Sequence, residues 1–222
     1  KNVQLTEVLV SAVNVADTSD AATAVARAVT MTKSFAEGLV TQAAAGNAII
    51  NTEVAADGSV SFKIVEAIVS DALVVAVQTY TSVATITDTS LDTLVADASA
   101  LAAFADDLTA VITNVTDQLN FADVTDVSAV SIITAAKTSA ETAVVEIATA
   151  VVAADAAELA SYASGSANST IAATVSAEET KVAETIAEAV TESESTASET
   201  AADLTNTGYA LPEIISVLET VE

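Results

Sequence analysis

Apolar residues along this chain recur at intervals of three and four positions, which is the spacing of one face of an α-helix. The first predicted helix covers residues 3–16. A second follows an N-cap signal at residues 17–20 and extends through Ala45, with Gly46-Asn47 as its stop signal. After a turn at residues 56–59, a third helix is predicted over residues 61–84.

Two longer helices are predicted in the middle of the chain. An N-cap signal at residues 88–90 begins a fourth helix, and residues 123–126 open a fifth that extends to about Tyr162. These segments predict an all-α fold, a compact bundle of about five to six helices within residues 1–165.

Strand structure is the competing interpretation, because β-branched residues such as those at 83–87 prefer strands. The apolar spacing nevertheless follows three and four rather than strict alternation. A single Asp-Gly pair, at residues 57–58, has the composition of a tight hairpin turn. Helix is therefore favoured throughout the chain.

The character of the sequence changes at Gly165. Residues 166–207 are rich in Glu, with Lys181 as the only base, and their apolar side chains are small and sparse. We expect an acidic linker or loosely helical segment that is more mobile than the bundle, since burial offsets little of the ordering entropy there. Residues 191–196 are predicted to be a solvated linker. A thin helical stripe remains at Val175, Val182, Ile186 and Ala189.

Residues 208–222 predict a short terminal helix with Pro212 near its start. Its apolar residues Ile214, Leu218 and Val221 would continue in register into Val3 of a following copy. The chain is thus compatible with one period of a tandem repeat, and equally with two terminal helices that match by chance.

Composition removes most catalytic chemistry. The chain has no His, Cys or Trp, and six Lys and Arg stand against 31 Asp and Glu, a net charge of −25. No imidazole base, thiolate, disulfide or zinc–thiolate site can form. The charge disfavours nucleic acid and anionic membrane as partners. The uncharged residues 72–87 are too few and too rich in hydroxyls to cross a bilayer.

The remaining candidates for chemistry are carboxylates. None has the glycine-punctuated spacing of a calcium loop, and helix caps or exposed faces explain them. Arg27 is the sole arginine, and no phosphate-binding loop or nucleophile elbow is present. We therefore predict no catalytic, cofactor or metal site and no enzyme activity. The carboxylates considered are Asp106 with Asp107, Glu178 with Glu179, Asp17 with Asp20, and the cluster Asp88, Asp92 and Asp97.

The junction between the third and fourth predicted helices carries a resemblance. Residues 82–94, Ser-Val-Ala-Thr-Ile-Thr-Asp-Thr-Ser-Leu-Asp-Thr-Leu, and then Ala98 to Leu101 resemble the inter-helix junction of spider silk protein repeats of the aciniform and tubuliform classes. The acidic segment is similar to the charged spacers of pyriform silks. Further matching stretches are residues 57–61, 70–73, 118–124 and 161–167.

The resemblance implies a secreted structural protein, stored as a soluble helical unit and assembled with copies of itself into extracellular fibre. It implies no cofactor, nucleic acid or membrane partner. Two other functions stay open: a subunit of another extracellular filament or surface layer, such as a microbial fibre, and a helical amphiphile that acts on apolar surfaces or membranes. Asn114 and Asn168 lie in glycosylation sequons. No signal peptide is recognised, since Lys1 leads directly into an apolar run.

Overall fold

The computed structural model describes residues 21–57, 59–65, 67–68, 99–119 and 127–206. These ranges contain five helices and one two-stranded sheet, which confirms the all-α class. The helices predicted at residues 3–16 and 208–222, and the junction at residues 82–94, lie outside them. The elements are α1 (Ala21–Ala44), β1 (Ile50–Val54), β2 (Val60–Ile64), α2 (Ser99–Gln118), α3 (Val127–Ala153), α4 (Ala156–Ala163) and α5 (Thr170–Asn206).

The predicted stop of the second helix is confirmed at the end of α1. Gly46 has φ +74°, a left-handed conformation that side chains with a Cβ rarely adopt. Its N–H donates to the Ala43 carbonyl at 2.9 Å, and the Asn47 N–H donates to the Gln42 carbonyl at 3.0 Å. These two bonds form a Schellman motif, which satisfies carbonyls that the helix end would leave free.

The third predicted helix begins wrongly, because residues 60–64 form a strand. β1 and β2 pair antiparallel, with Ile50 opposite Ile64 and Val54 opposite Val60. The Asp57 carboxylate closes the turn by accepting from the Ser59 N–H at 3.0 Å. The Asp-Gly pair in the sequence is therefore a hairpin signal, and residues 60–64 after it alternate apolar and polar residues.

The fifth predicted helix is interrupted before it reaches Tyr162. α3 ends at Ala153, and the Asp155 carboxylate caps α4 by accepting from the Glu158 N–H at 2.9 Å. Aspartate favours such caps over helix interiors because its short side chain competes for backbone N–H groups. The Lys33 ammonium of α1 donates to the Ala154 carbonyl at the same break.

The acidic segment is a single long helix, which corrects the predicted linker at residues 191–196. α5 begins at a Ser169 cap, whose hydroxyl accepts from the Ala172 N–H at 3.0 Å. Its apolar stripe packs into the core, so extension of the helix beyond that contact carries no new nucleation cost. The predicted stripe is confirmed: Val175, Val182 and Ile186 are buried, together with Ile171.

Helix α3 contributes many small side chains to the core. Its buried alanines allow α1 on one side and α5 on another to approach closely. Phe35 of α1 and Phe104 of α2 meet edge to face, with ring centroids 6.0 Å apart and planes at 72°. The fully buried alanines of α3 are Ala136, Ala140, Ala143 and Ala148.

Candidate functional site

The predicted carboxylate pair on α2 joins two helices. Asp106 is exposed, whereas Asp107 is half-buried and accepts a hydrogen bond from the Tyr162 hydroxyl of α4. Burial raises the pKa of the Asp107 carboxyl, the Tyr162 bond opposes that rise, and the charge of Asp106 adds to it. Burial, followed by the bond to Asp107, raises the pKa of the Tyr162 hydroxyl. The hydrogen bond between Tyr162 and Asp107 holds α4 against α2.

Two other glutamates hold backbone segments of different elements. The Glu141 carboxylate of α3 accepts from the N–H groups of Ile49 and Ile50 at 3.1 and 3.0 Å, which fixes the start of the hairpin. The Glu158 carboxylate of α4 accepts from the N–H groups of Thr170 and Ile171, the first two residues of α5. A carboxylate at a helix N-terminus satisfies free donors and matches the helix dipole.

The predicted pair on α5 divides between two environments. Glu179 is half-buried, whereas Glu178 is only 4% exposed although it is charged. Glu178 forms an ion pair with Lys181, whose side chain is 63% exposed. The hydrogen bond that Lys181 donates to Glu178, followed by the charge of Glu178, raises the pKa of the Lys181 ammonium, and Glu146 of α3 adds to the rise.

Glu178 lies in an open groove of about 680 Å³ between α3 and α5. The walls consist mainly of hydroxyl-bearing side chains, with one buried carboxylate and one ammonium. Such a groove has the size of a small-molecule site. The lining residues are Ser131, Thr134, Ala135, Thr138, Ser139 and Thr142 from α3, and Glu178, Lys181 and Thr185 from α5.

Of the other predicted carboxylates, the structure describes Asp106 and Asp107. Asp106 and Asp107 lie on α2 and do not line the groove. Asp17, Asp20 and the cluster Asp88, Asp92 and Asp97 lie outside the described residues.

Within the described ranges, no group of three or more Asp or Glu side chains could hold a metal ion. In the same part of the chain, no helix has both the length and the apolar character needed to cross a membrane.

Compared with known proteins, the chain matches no protein-family model, no curated protein and no solved structure. Two features stand out in the described residues: carboxylates that join elements of the fold, and the groove around Glu178.

Proposed function

We propose that this chain is a structural protein, a silk-type unit that is stored soluble and assembles with copies of itself into extracellular fibre. The observation that carries the proposal is the use of carboxylates between elements. Glu141 holds the hairpin, Glu158 holds the start of α5, and Asp107 holds α4 through Tyr162. These acidic groups stabilise the architecture instead of converging on one reaction centre.

Surface character supports storage at high concentration. Among the described residues, the large apolar side chains that are strongly exposed are Val54 and Val130, at 52% and 49%. Scattered single residues of this kind do not form a sticky patch. The net charge of −25 adds repulsion between copies. The resemblance of the junction sequences to silk repeats supports the same role.

Assembly should depend on salt and shear rather than on a mild drop in pH. Without His, no side chain with an ordinary pKa titrates between pH 8 and 6. Salt shortens the reach of carboxylate repulsion, to a Debye length of about 8 Å at 0.15 M. β-branched segments such as residues 83–87 could then pair between chains.

The test is to draw fibres from the concentrated full chain under shear, with and without a kosmotropic salt. We expect fibres that show a new β-sheet band in the infrared spectrum and retain part of the helix signal. Absence of fibres, or fibres without the new band, would contradict the proposal. Assembly on moving from pH 7.5 to 6 in dilute, unsheared solution would refute the charge argument. A strong gain of helix on adding liposomes would favour the membrane-active amphiphile.

A further inference from the structure

The threonine hydroxyls along the α3 wall of the groove donate to backbone carbonyls of the same helix. Thr134 donates to the Val130 carbonyl at 2.8 Å, and Thr138 and Thr142 each donate to the carbonyl four residues earlier at 3.0 Å. Thr185 on the opposite wall donates to the Lys181 carbonyl at 2.9 Å. A hydroxyl has one proton, so while these four side chains donate to backbone carbonyls, their oxygen lone pairs remain to accept hydrogen bonds from a ligand.

Glu178 adds a carboxylate that is only partly satisfied. Its Oε1 accepts from Lys181, whereas its Oε2 accepts no hydrogen bond from any residue that the structure describes. The side chain is 5% exposed, so bulk water does little to stabilise the second oxygen. A buried acceptor without a donor is costly, and a donor supplied from outside would remove that cost.

The groove therefore has many acceptors and few donors. Of the lining residues, Lys181 alone is cationic, and its ammonium is already bound to Glu178. The threonines of this wall are spaced about 6 Å apart along the helix axis, because four residues separate each from the next and each residue rises about 1.5 Å. They are Thr134, Thr138 and Thr142. That interval is comparable to the distance between two ammonium groups joined by an extended four-carbon chain. Ala135 and the threonine methyl groups offer apolar contact to the methylenes between them.

We propose that the groove between α3 and α5 binds an alkylammonium cation of the polyamine class. One ammonium group donates to Glu178, and the others donate to the threonine oxygens along α3. Lys181 is an internal competitor that occupies the carboxylate when the groove is empty and moves into solvent when the ligand binds. The raised pKa of the Lys181 ammonium agrees with a site that stabilises a protonated amine. The proposal does not depend on the fibre-forming role.

The first test compares two glutamates of α5 by titration calorimetry with spermidine at physiological ionic strength. Glu178→Gln removes the groove carboxylate, and Glu192→Gln removes an exposed one with the same change in net charge. We expect Glu178→Gln to weaken binding by about tenfold or more and Glu192→Gln to change it less than about twofold. Equal effects would show general attraction of cations to an acidic surface and would overturn the proposal.

The second test uses threonines that make the same internal hydrogen bond. Thr138 lies in the groove, whereas Thr149 of the same helix donates to the Val145 carbonyl and does not line it. Replacement by valine conserves shape and removes the hydroxyl, so both variants lose the same internal hydrogen bond and only Thr138→Val also loses an acceptor in the groove. We expect spermidine to bind about threefold more weakly to Thr138→Val and unchanged to Thr149→Val. An equal response of the two variants would count against the groove.

The third test uses a substitution that should strengthen spermidine binding instead of weakening it. Lys181→Met removes the competitor and should strengthen spermidine binding several-fold. Lys63→Met makes the same change of charge on the hairpin, where Lys63 pairs with Glu53, and should have a smaller effect. Weaker binding to Lys181→Met would overturn the proposal. This test and the threonine pair remain decisive even where Glu178→Gln fails to fold, which circular dichroism would reveal.

Two further ligands define the chemistry. Spermidine acetylated on its terminal amines keeps the chain but loses the terminal charges, and we expect no measurable binding. An oligolysine peptide carries alkylammonium groups on a protein backbone. Binding of oligolysine with no binding of free spermidine would overturn the polyamine assignment in favour of a basic protein partner.

Discussion

The two parts of α5 have similar charge and very different surroundings. We call residues 170–190 the packed part and residues 191–206 the outer part. Each contains four acidic residues and both are helical. The packed part buries Ile171, Val175, Glu178, Val182 and Ile186, whereas the described side chains of the outer part are exposed or half-buried. Acidity alone therefore does not decide which part joins the core; the apolar stripe does.

The difference has an energetic consequence. Ser and Thr reduce helix propensity by a few tenths of a kcal/mol each, and isolated helices of this length are marginal in water. The outer part is helical because it continues a helix already fixed by packing. Thr191 and Thr196 donate to the carbonyls four residues earlier, so their hydroxyls do not compete for backbone N–H groups. We therefore expect local opening of α5 to cost less free energy in the outer part than in the packed part.

Amide hydrogen exchange should reveal the largest contrast. We expect exchange in the outer part through local opening that costs close to zero, and exchange in the packed part only through openings of several kcal/mol. Protection factors should therefore differ by roughly a thousandfold. The sequence predicts mobility over all of residues 166–207, and the burial of the packed part confines that prediction to the outer part. Equally slow exchange along the whole of α5 would remove the distinction.

A charge introduced into the packed part should lower the free energy of unfolding far more than the same charge introduced into the outer part. Val182→Asp places a carboxylate at a site that is 3% exposed, without a partner, and should reduce the free energy of unfolding by about 3–5 kcal/mol. Ser195→Asp adds the same charge to the exposed surface of the outer part and should change it by less than about 0.5 kcal/mol. Chemical denaturation measures both. Similar losses in the two variants would show that the outer part is packed too.

These two parts also show where sequence reasoning succeeded. The stripe Val175, Val182 and Ile186 was visible as spacing, and its burial follows from that pattern. The linker at residues 191–196 was predicted from composition alone, which cannot register that a helix extends from a packed neighbour. The hairpin was missed for a different reason: Asp57-Gly58 was noticed, but the alternation of Val60, Phe62 and Ile64 was interpreted with a helical period.

The contact that starts α5 should have an intermediate effect. Glu158→Ala removes the acceptor for the N–H groups of Thr170 and Ile171 and should cost about 1–2 kcal/mol. Glu184→Ala changes an exposed glutamate on the packed part and is the matched control, with an expected change below about 0.5 kcal/mol. If Glu158→Ala were as mild as the control, the Ser169 cap alone would suffice to begin the helix.

Contacts of this kind explain why the site was harder to predict than the fold. The sequence presents Glu178 as half of a carboxylate pair, but its place in the groove depends on residues 131–142 of α3, more than thirty positions away in sequence. The Glu141 carboxylate accepts hydrogen bonds from Ile49 and Ile50, which lie 92 and 91 positions earlier in the sequence. No local sequence pattern encodes a contact over that separation. The threonine spacing at residues 134, 138 and 142 was present in the sequence, yet only the structure places it opposite Glu178.

The smallest expected effect on stability concerns the half-buried Asp107. It tests whether partial burial of a carboxylate makes stability depend on pH. Burial raises the pKa of its carboxyl in the folded chain above the unfolded value, so the folded state binds more protons between those two values. Stability from this group is therefore greatest below the unfolded pKa and is lost as pH rises through the folded pKa. Asp107→Asn removes that loss and keeps an acceptor for Tyr162.

Relative to the original chain, the Asp107→Asn variant should therefore gain stability between about pH 3.5 and pH 7, by less than about 1 kcal/mol after solvent screening. Denaturation series at both ends of that pH range measure the difference. Tyr162→Phe provides the complementary variant: it removes the bond that lowers the pKa of Asp107, so the pH dependence of its stability should become steeper. A difference between Asp107→Asn and the original chain that stays constant with pH would show that burial does not raise the pKa of the Asp107 carboxyl.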